Sequence, residues 1–329
     1  MDLPPLTRKY FSLQPAKERT YRLLCTLLVI ILSLILYFFW APLRSTEIAY
    51  TFVSPTITNP YIYIISRAIT TLGSEGFFLV LLSVIYWSVN KPLGSWGLIM
   101  MPLSIFITSE IPKDIVRLPR PAVRGVTVPT YTFPSGHTSG AVAVWGYLAI
   151  LIKKRSFWIL SLTIIILVGL SRVMLGYHFP GDVLGGYITG IIFLALFFWL
   201  GITLKEKNWH KKTSLSLLFL LSLTIPLALS FIPATYAPNL TGYTAGAALG
   251  YLLERETLQF TLQTTRLKHL IKALLGLPVI PLIILAPPAL FTINSHLFTF
   301  TQYALSTFWI TYLAPLLFIK LNLAQKTTH

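Results

Sequence analysis

The sequence predicts an all-α fold, a polytopic membrane helix bundle of about ten transmembrane helices built on a six-helix core. Three observations predict it. The 329 residues are 55% hydrophobic and only 11% charged, against about 25% charged in a soluble domain. Several apolar runs reach the ~20 residues that cross a hydrocarbon core as a helix. The Lys and Arg residues fall between those runs. Backbone inside a bilayer must satisfy its own hydrogen bonds, so the runs are read as helices.

Taken in order, hydropathy places spans at 22–40, 76–90, 94–111, 138–152, 156–175, 183–203, 213–232, 240–253, 271–291 and 300–319. The first follows Arg8, Lys9, Lys17, Arg19 and Arg22. Its length and the lack of a small-residue cleavage site after Phe38 argue for a retained span rather than a signal peptide. Residues 57–72, with Tyr61, Tyr63, Arg67 and Thr70-Thr71 among aliphatics, suit an interfacial helix. Trp40, Tyr50 and Phe52 are placed at the same water–lipid boundary. The stretch 240–253 is short, but Gly242, Gly246 and Gly250 recur every four residues, which lets helices approach closely inside a bundle. Pro287-Pro288 predicts a break in the ninth span.

With ten spans and both termini cytoplasmic, 19 of the 26 Lys and Arg residues lie inside and 7 outside, as the positive-inside rule requires. Net charge +16 therefore reflects topology; no basic stripe points to nucleic acid. Cys25 is the single cysteine, so neither an intrachain disulfide nor a Cys-based metal site is available. The expected division is a cytoplasmic N-terminal segment (1–20), a membrane core (21–204) and additional C-terminal transmembrane helices (205–329). For the last part, lipid entry, formation of a homodimer and an unrelated partner are all open readings.

Five of the seven outer charges lie in or beside three polar clusters between Lys113 and Asp182. In the first, Lys113 offers a point charge and Arg120 a planar fork suited to phosphate oxygens, stiffened by Pro119 and Pro121. The duller reading is a basic membrane-exit loop. The second, Pro134-Ser135-Gly136-His137, opens a span. Free N–H groups at a helix start attract an anion, Ser135 adds a hydroxyl, Gly136 permits close backbone approach and His137 can give a proton. An ordinary helix cap fits the same residues. The third has Ser171-Arg172 closing one span, then His178, then Asp182 opening the next. Four residues apart, the Asp182 carboxylate can rest on a His178 nitrogen, fixing the tautomer and leaving the other nitrogen as a nucleophile. A structural or metal-binding His–Asp pair is the alternative, and no third ligand accompanies it at ligand spacing.

The spacings Lys113-x₆-Arg120-Pro121, Pro134-Ser135-Gly136-His137 and Ser171-Arg172-x₅-His178-x₃-Asp182 resemble the three-part signature of the type 2 phosphatidic-acid phosphatases. These are integral-membrane lipid phosphate phosphatases that share their site with the vanadium haloperoxidases. The resemblance covers roughly residues 75–203, including Tyr131-Thr132-Phe133 and Gly185-Gly186. It implies that His178 attacks phosphorus, Asp182 orients it, and His137 protonates the leaving group and then activates water. Lys113, Arg120, Arg172, Ser135 and the Gly136 N–H would hold the phosphate. It implies no cofactor and no metal.

Other residues carry weaker readings. Glu110 and Asp114 suit ion pairs with Lys113 or Arg117. Glu75 suits a membrane-end cap or a substrate contact. Arg117 and Arg124 suit a solvated loop, with a second phosphate or lipid headgroups as the alternative. His210, His269, His296 and His329 read as interfacial, and Asn239-Leu240-Thr241 is a sequon of the kind that arises by chance. The leading expectation is a phosphatase for a phosphatidic-acid-like, prenyl or sphingolipid phosphate or pyrophosphate, with membrane lipids as partners and its site on the outer or periplasmic face. Phosphotransfer to another acceptor through the same intermediate is the enzymatic alternative. A lipid transporter is the non-enzymatic one, although the polar residues gather at one face rather than midplane.

Overall fold

The computed structural model describes residues 15–49, 59–121, 130–206, 213–286 and 295–327. Among these every regular element is helical, apart from an isolated β-bridge between Phe260 and Lys326. In chain order they are α1 (Pro15–Ala49), α2 (Pro60–Thr71), α3 (Glu75–Ser88), α4 (Lys91–Ile105), α5 (Ile111–Val116), α6 (Gly136–Ile152), α7 (Arg155–Met174) and α8 (Pro180–Glu206). Then follow α9 (Leu215–Ser230), α10 (Ala237–Leu253), α11 (Arg266–Gly276), α12 (Val279–Ile284), α13 (Ser295–Phe308) and α14 (Ala314–Lys320). Single π-helical turns at Phe106–Glu110, Glu254–Leu258 and Trp309–Leu313 join or extend them.

Six helical stretches among the described residues are long and apolar enough to cross a membrane, or seven if α2 and α3, bent by 46°, form one broken span. This is a multi-pass membrane protein, but the expected ten spans are not reached by that measure. α6 and α9 carry the predicted spans at 138–152 and 213–232 and are apolar but short, with 17 and 16 residues, whereas α10, at the predicted 240–253, has 17 residues and is not apolar enough to count among them. The helix expected to lie in the interface is α2, and its sidedness is unexpected. Ser66 and Thr70 are buried while Tyr61, Ile64 and Ile65 are exposed, and the helix packs on α7. Asn59 starts it by accepting from the Tyr61 and Ile62 N–H groups. Tyr50, Phe52, Arg124, His210, His329 and Pro287-Pro288 lie outside the described residues.

The chain divides into two compact units, Met1–Phe78 with Ser104–Lys211, and Leu79–Leu103 with Lys212–His329. In the first, α6 is the central element and is buried along almost its whole length. Gly140, Ala141, Ala143 and Gly146 keep it slim enough for α7 and α8 to pack on it. Lys153, in the left-handed region at φ 60°, ends α6 and reverses the chain into α7. The N-terminus of α6 and the C-terminus of α7 thereby share one end of the unit, and α8 starts there too. The outward side of α7 is an apolar stripe of Ile159, Leu162, Ile166 and Leu170, a lipid-facing surface.

In the second unit α10 packs on α13. A side chain at Gly242 would strike the Phe300 carbonyl, and one at Gly246 the Ala304 carbonyl, so the expected glycine seam is a backbone-to-backbone contact. The Trp309–Leu313 turn accounts for its own loose carbonyls. Ala314 N–H reaches back five residues to Trp309, and Pro315 has no N–H to offer Thr311. The freed carbonyls of Ile310 and Thr311 accept instead from Trp87 Nε1 at 2.8 Å and Tyr86 Oη at 3.0 Å. Lys91 is held by Glu254 at 2.6 Å beneath the Phe260 carbonyl. His296 stacks on Phe231, and Thr241 of the sequon is buried inside α10.

Candidate active site

The three clusters meet at the end of the first unit where α6 begins. Lys113 projects from α5, a short helix that follows a π-helical turn ahead of Pro112. Its Nζ lies 2.6 Å from Glu110 Oε1, and both side chains are almost fully buried. Glu75, at the start of α3, lies within electrostatic reach of this pair. Arg117 ends α5 in the left-handed region at φ 52° and turns outward, its Nε donating to the Asp114 carbonyl.

After this reversal the chain runs extended, and Thr132 N–H donates to the Leu118 carbonyl. That contact places Arg120 beside Thr130. Arg120 Nε donates to the Thr130 carbonyl at 2.9 Å and Nη2 to the Thr130 hydroxyl at 2.8 Å. Its Nη1 donates to the Tyr177 carbonyl at 2.9 Å and faces His178 Nε2 at 3.3 Å. Three edges of the guanidinium are thus fixed, and the first cluster touches the third.

The second cluster joins them through the backbone. Ser135 N–H donates to the Asp182 carbonyl at 3.0 Å, and Ser135 Oγ accepts from Thr138 Oγ1 at 2.9 Å. Ser135 occupies the cap position of α6 but gives the helix no side-chain cap bond. Gly136 is required by close approach: a Cβ there would sit 2.8 Å from Ser109 Oγ and 3.7 Å from Lys113 Nζ. His137 follows, half-buried and within electrostatic reach of Arg172, His178 and Lys113.

The third cluster uses the last turn of α7. Arg172 Nη1 donates to Thr70 Oγ1 of α2 at 2.9 Å, and its guanidinium carbon stands 4.7 Å from the Tyr177 ring centre. Its buried Nε has no hydrogen-bond partner among the described residues, a donor suited to an anion. Gly176, at φ 69°, makes the turn that returns Tyr177 N–H to the Arg172 carbonyl. His178 is 2% exposed and Asp182 is fully buried. Burial, followed by the charges of Arg172, Arg120 and Lys113, holds the His178 imidazole well below its ordinary pKa, against a smaller upward pull from a Thr132 backbone hydrogen bond.

One contact differs from the spacing argument. Asp182 Oδ2 is 3.7 Å from His178 Nδ1, beyond hydrogen-bond length. Between them stands Thr132, whose Oγ1 lies 3.2 Å from Nδ1 and 2.5 Å from Oδ2. Asp182 Oδ2 also accepts from Phe179 N–H at 2.8 Å. The structure therefore brings together all eight residues named from the sequence, and adds Thr132, Thr130 and Thr70, which sequence reasoning missed. Thr130 and Thr132 lie within four positions of Pro134, which was their one signal, and Thr70 had none. Among the described residues no three of His, Cys, Asp and Glu converge as metal ligands.

Residues 94–206, which hold all three clusters, match the PAP2 superfamily. Residues 238–326 match the PAP2 superfamily phosphatase transmembrane extension, which extends the resemblance past the limit of residue 203 read from the motifs. Phosphatidylglycerophosphatase B of Bacillus subtilis (strain 168) is 30% identical over 183 residues, 51% of this chain and 89% of its own. Sphingosine-1-phosphate phosphatase 2 of Mus musculus is 29% identical over 152 residues, 43% of each chain. Undecaprenyl-diphosphatase BcrC of Bacillus subtilis (strain 168) is 40% identical over 67 residues, 20% of this chain and 34% of its own. The chain thus spans less than half the length of the latter two.

Proposed function

The chain belongs to the PAP2 superfamily of phosphatases, and from that premise we propose that it hydrolyses a lipid phosphate or lipid diphosphate through a phosphohistidine on His178. The observation that carries the reading is the contact between Arg120 Nη1 and His178 Nε2 at 3.3 Å. A guanidinium can only donate, so Nε2 is the unprotonated nitrogen of a buried, neutral imidazole. That lone pair points into a group of cations. A phosphate entering there separates Arg120 from Nε2, gains Lys113, Arg120, Arg172 Nε, Ser135 Oγ and the Gly136 N–H around its oxygens, and offers phosphorus to Nε2.

In the first step the Nε2–P bond forms and the P–O bond to the lipid breaks, with His137 giving its proton to the departing oxygen. In the second, water attacks phosphorus as His137 takes its proton, the N–P bond breaks and inorganic phosphate leaves. Charge neutralisation by side-chain cations supports a metal-independent reaction. Relatives that are lipid phosphatases support the substrate class. The positive-inside count supports the outer face as the side of the site, at the start of α6.

The test uses purified full-length protein in detergent with prenyl, glycerolipid and sphingoid phosphates. The wild type is expected to release phosphate from at least one, with EDTA leaving the rate within about twofold, and His178→Ala should lower it by more than about 10³-fold. Undiminished turnover by His178→Ala would overturn the nucleophile, and an absolute requirement for added divalent metal would overturn the metal-free scheme.

A further inference from the structure

The His178–Asp182 pair is incomplete as a catalytic dyad, and the group that completes it is on another loop. Thr132 comes from the segment ahead of α6, fully buried, and its side-chain oxygen touches both His178 Nδ1 and Asp182 Oδ2, bridging the one contact that the carboxylate does not make directly. The direction of each bond follows from counting protons. Arg120 donates to Nε2, so the imidazole proton is on Nδ1. Nδ1–H then donates to Thr132 Oγ1. The threonine hydroxyl has one proton, and only the Asp182 carboxylate is left to receive it. The series Arg120 N–H to Nε2, Nδ1–H to Oγ1, Oγ1–H to Oδ2 has a single consistent polarity.

We infer that Thr132 is a positioning residue of the reaction, whose hydroxyl holds the Nδ1–H of His178 and carries the charge of Asp182 to it. As the N–P bond forms, Nε2 gives up its lone pair and the ring becomes cationic. Nδ1–H becomes a stronger donor to Oγ1, and Oγ1–H a stronger donor to Oδ2. No proton leaves its heavy atom, so the relay tightens without transferring anything. The Ser135 N–H bond to the Asp182 carbonyl fixes the far end of the relay, and Phe179 N–H holds Oδ2 on the line. The Thr132 backbone pulls on the same single ring proton, so deleting the hydroxyl weakens the hold on the ring without abolishing it.

This inference rests on His178 as the nucleophile, and the experiment separates the two. Thr132→Val keeps the shape and removes the hydroxyl, while Thr132→Ser keeps the hydroxyl and removes the methyl. With whichever lipid phosphate the wild type hydrolyses, Thr132→Val should lower kcat about 10- to 100-fold with KM changed less than about threefold, and Thr132→Ser should stay within about threefold of wild type. Equal loss in both variants, or wild-type kcat in Thr132→Val while His178→Ala is inactive, overturns the relay and leaves the nucleophile standing. Wild-type turnover by His178→Ala overturns the parent reading instead. Should Thr132→Val not yield a monodisperse protein, Asp182→Asn is compared in the wild-type and Thr132→Ala backgrounds. The relay predicts a loss at least tenfold smaller in the second background, and equal losses overturn it.

Discussion

At the scale of single residues, the charge state of His178 is decided before any ligand arrives. Burying an imidazole penalises its cationic form, and Arg172, Arg120 and Lys113 penalise it further. The sign is simple. A depressed pKa keeps the ring neutral as pH falls past 6.5, where a free imidazole is half protonated. The unfolded chain then binds a proton that the native state refuses, so this residue costs stability as pH drops below that value. Histidine-selective ¹³Cε1 NMR in detergent, with the signal assigned by its loss in His178→Ala, should find His178 neutral at pH 6.5. A resonance half-titrated at or above 6.5 would contradict the electrostatics described for the site. The residue types and their spacing were legible in the sequence because every motif position carries its own chemistry. The partners that hold them were not. Thr130, Thr132 and Thr70 bond across 10, 46 and 102 positions, and no local pattern encodes which hydroxyl meets which side chain.

At the scale of elements, hydropathy finds apolar helices and misses how their hydrogen bonds are redistributed. The span expected at 300–319 is present as α13 and α14, but a π-helical turn lies between them. Its cue was in the sequence. Pro315 cannot donate to Thr311, just as Pro112 cannot donate to Thr108 ahead of α5, and in both places the ladder shifts by one residue just before the proline. What the cue does not contain is the acceptor's new partner, here Tyr86, 225 positions away. Tyr86 is fully buried, so Tyr86→Phe leaves the Thr311 carbonyl without its donor in an apolar setting. The expected cost is about 1–3 kcal/mol, read as a lower midpoint of thermal unfolding in detergent, with the apolar ring contact to Phe260 retained. An unchanged midpoint would mean that water or another group reaches that carbonyl. In α2 the two buried polar residues are Ser66 and Thr70, and Thr70 accepts from Arg172 while the helix packs on α7, so these two positions face protein even though Tyr61, Tyr63, Arg67 and Thr71 are exposed.

At the scale of the whole molecule, charge asymmetry was the most informative global feature of the sequence, while the grouping of the helices was not visible in it. Residues 79–103 group with Lys212–His329 in one compact unit through tertiary contacts. The asymmetry is the basis of the sidedness proposed above. Cations on the side holding the start of α6 are mostly used: Lys113 on Glu110, Arg120 on Thr130 and Tyr177, Arg172 on Thr70. Those at the opposite end of α6, Lys153, Lys154 and Arg155, are exposed and suit the cytoplasmic leaflet. Because the chain has a single cysteine, Cys25, the assignment is open to direct measurement. In a Cys25→Ser background, Ile115→Cys places a thiol at a position that is 74% exposed beside the site, and Lys154→Cys places one at the far end of α6. A membrane-impermeant maleimide applied to intact cells should label the first and reach the second only after permeabilisation. The reverse pattern would put the site in the cytoplasm and show that the seven cations assigned outside do not follow the positive-inside rule.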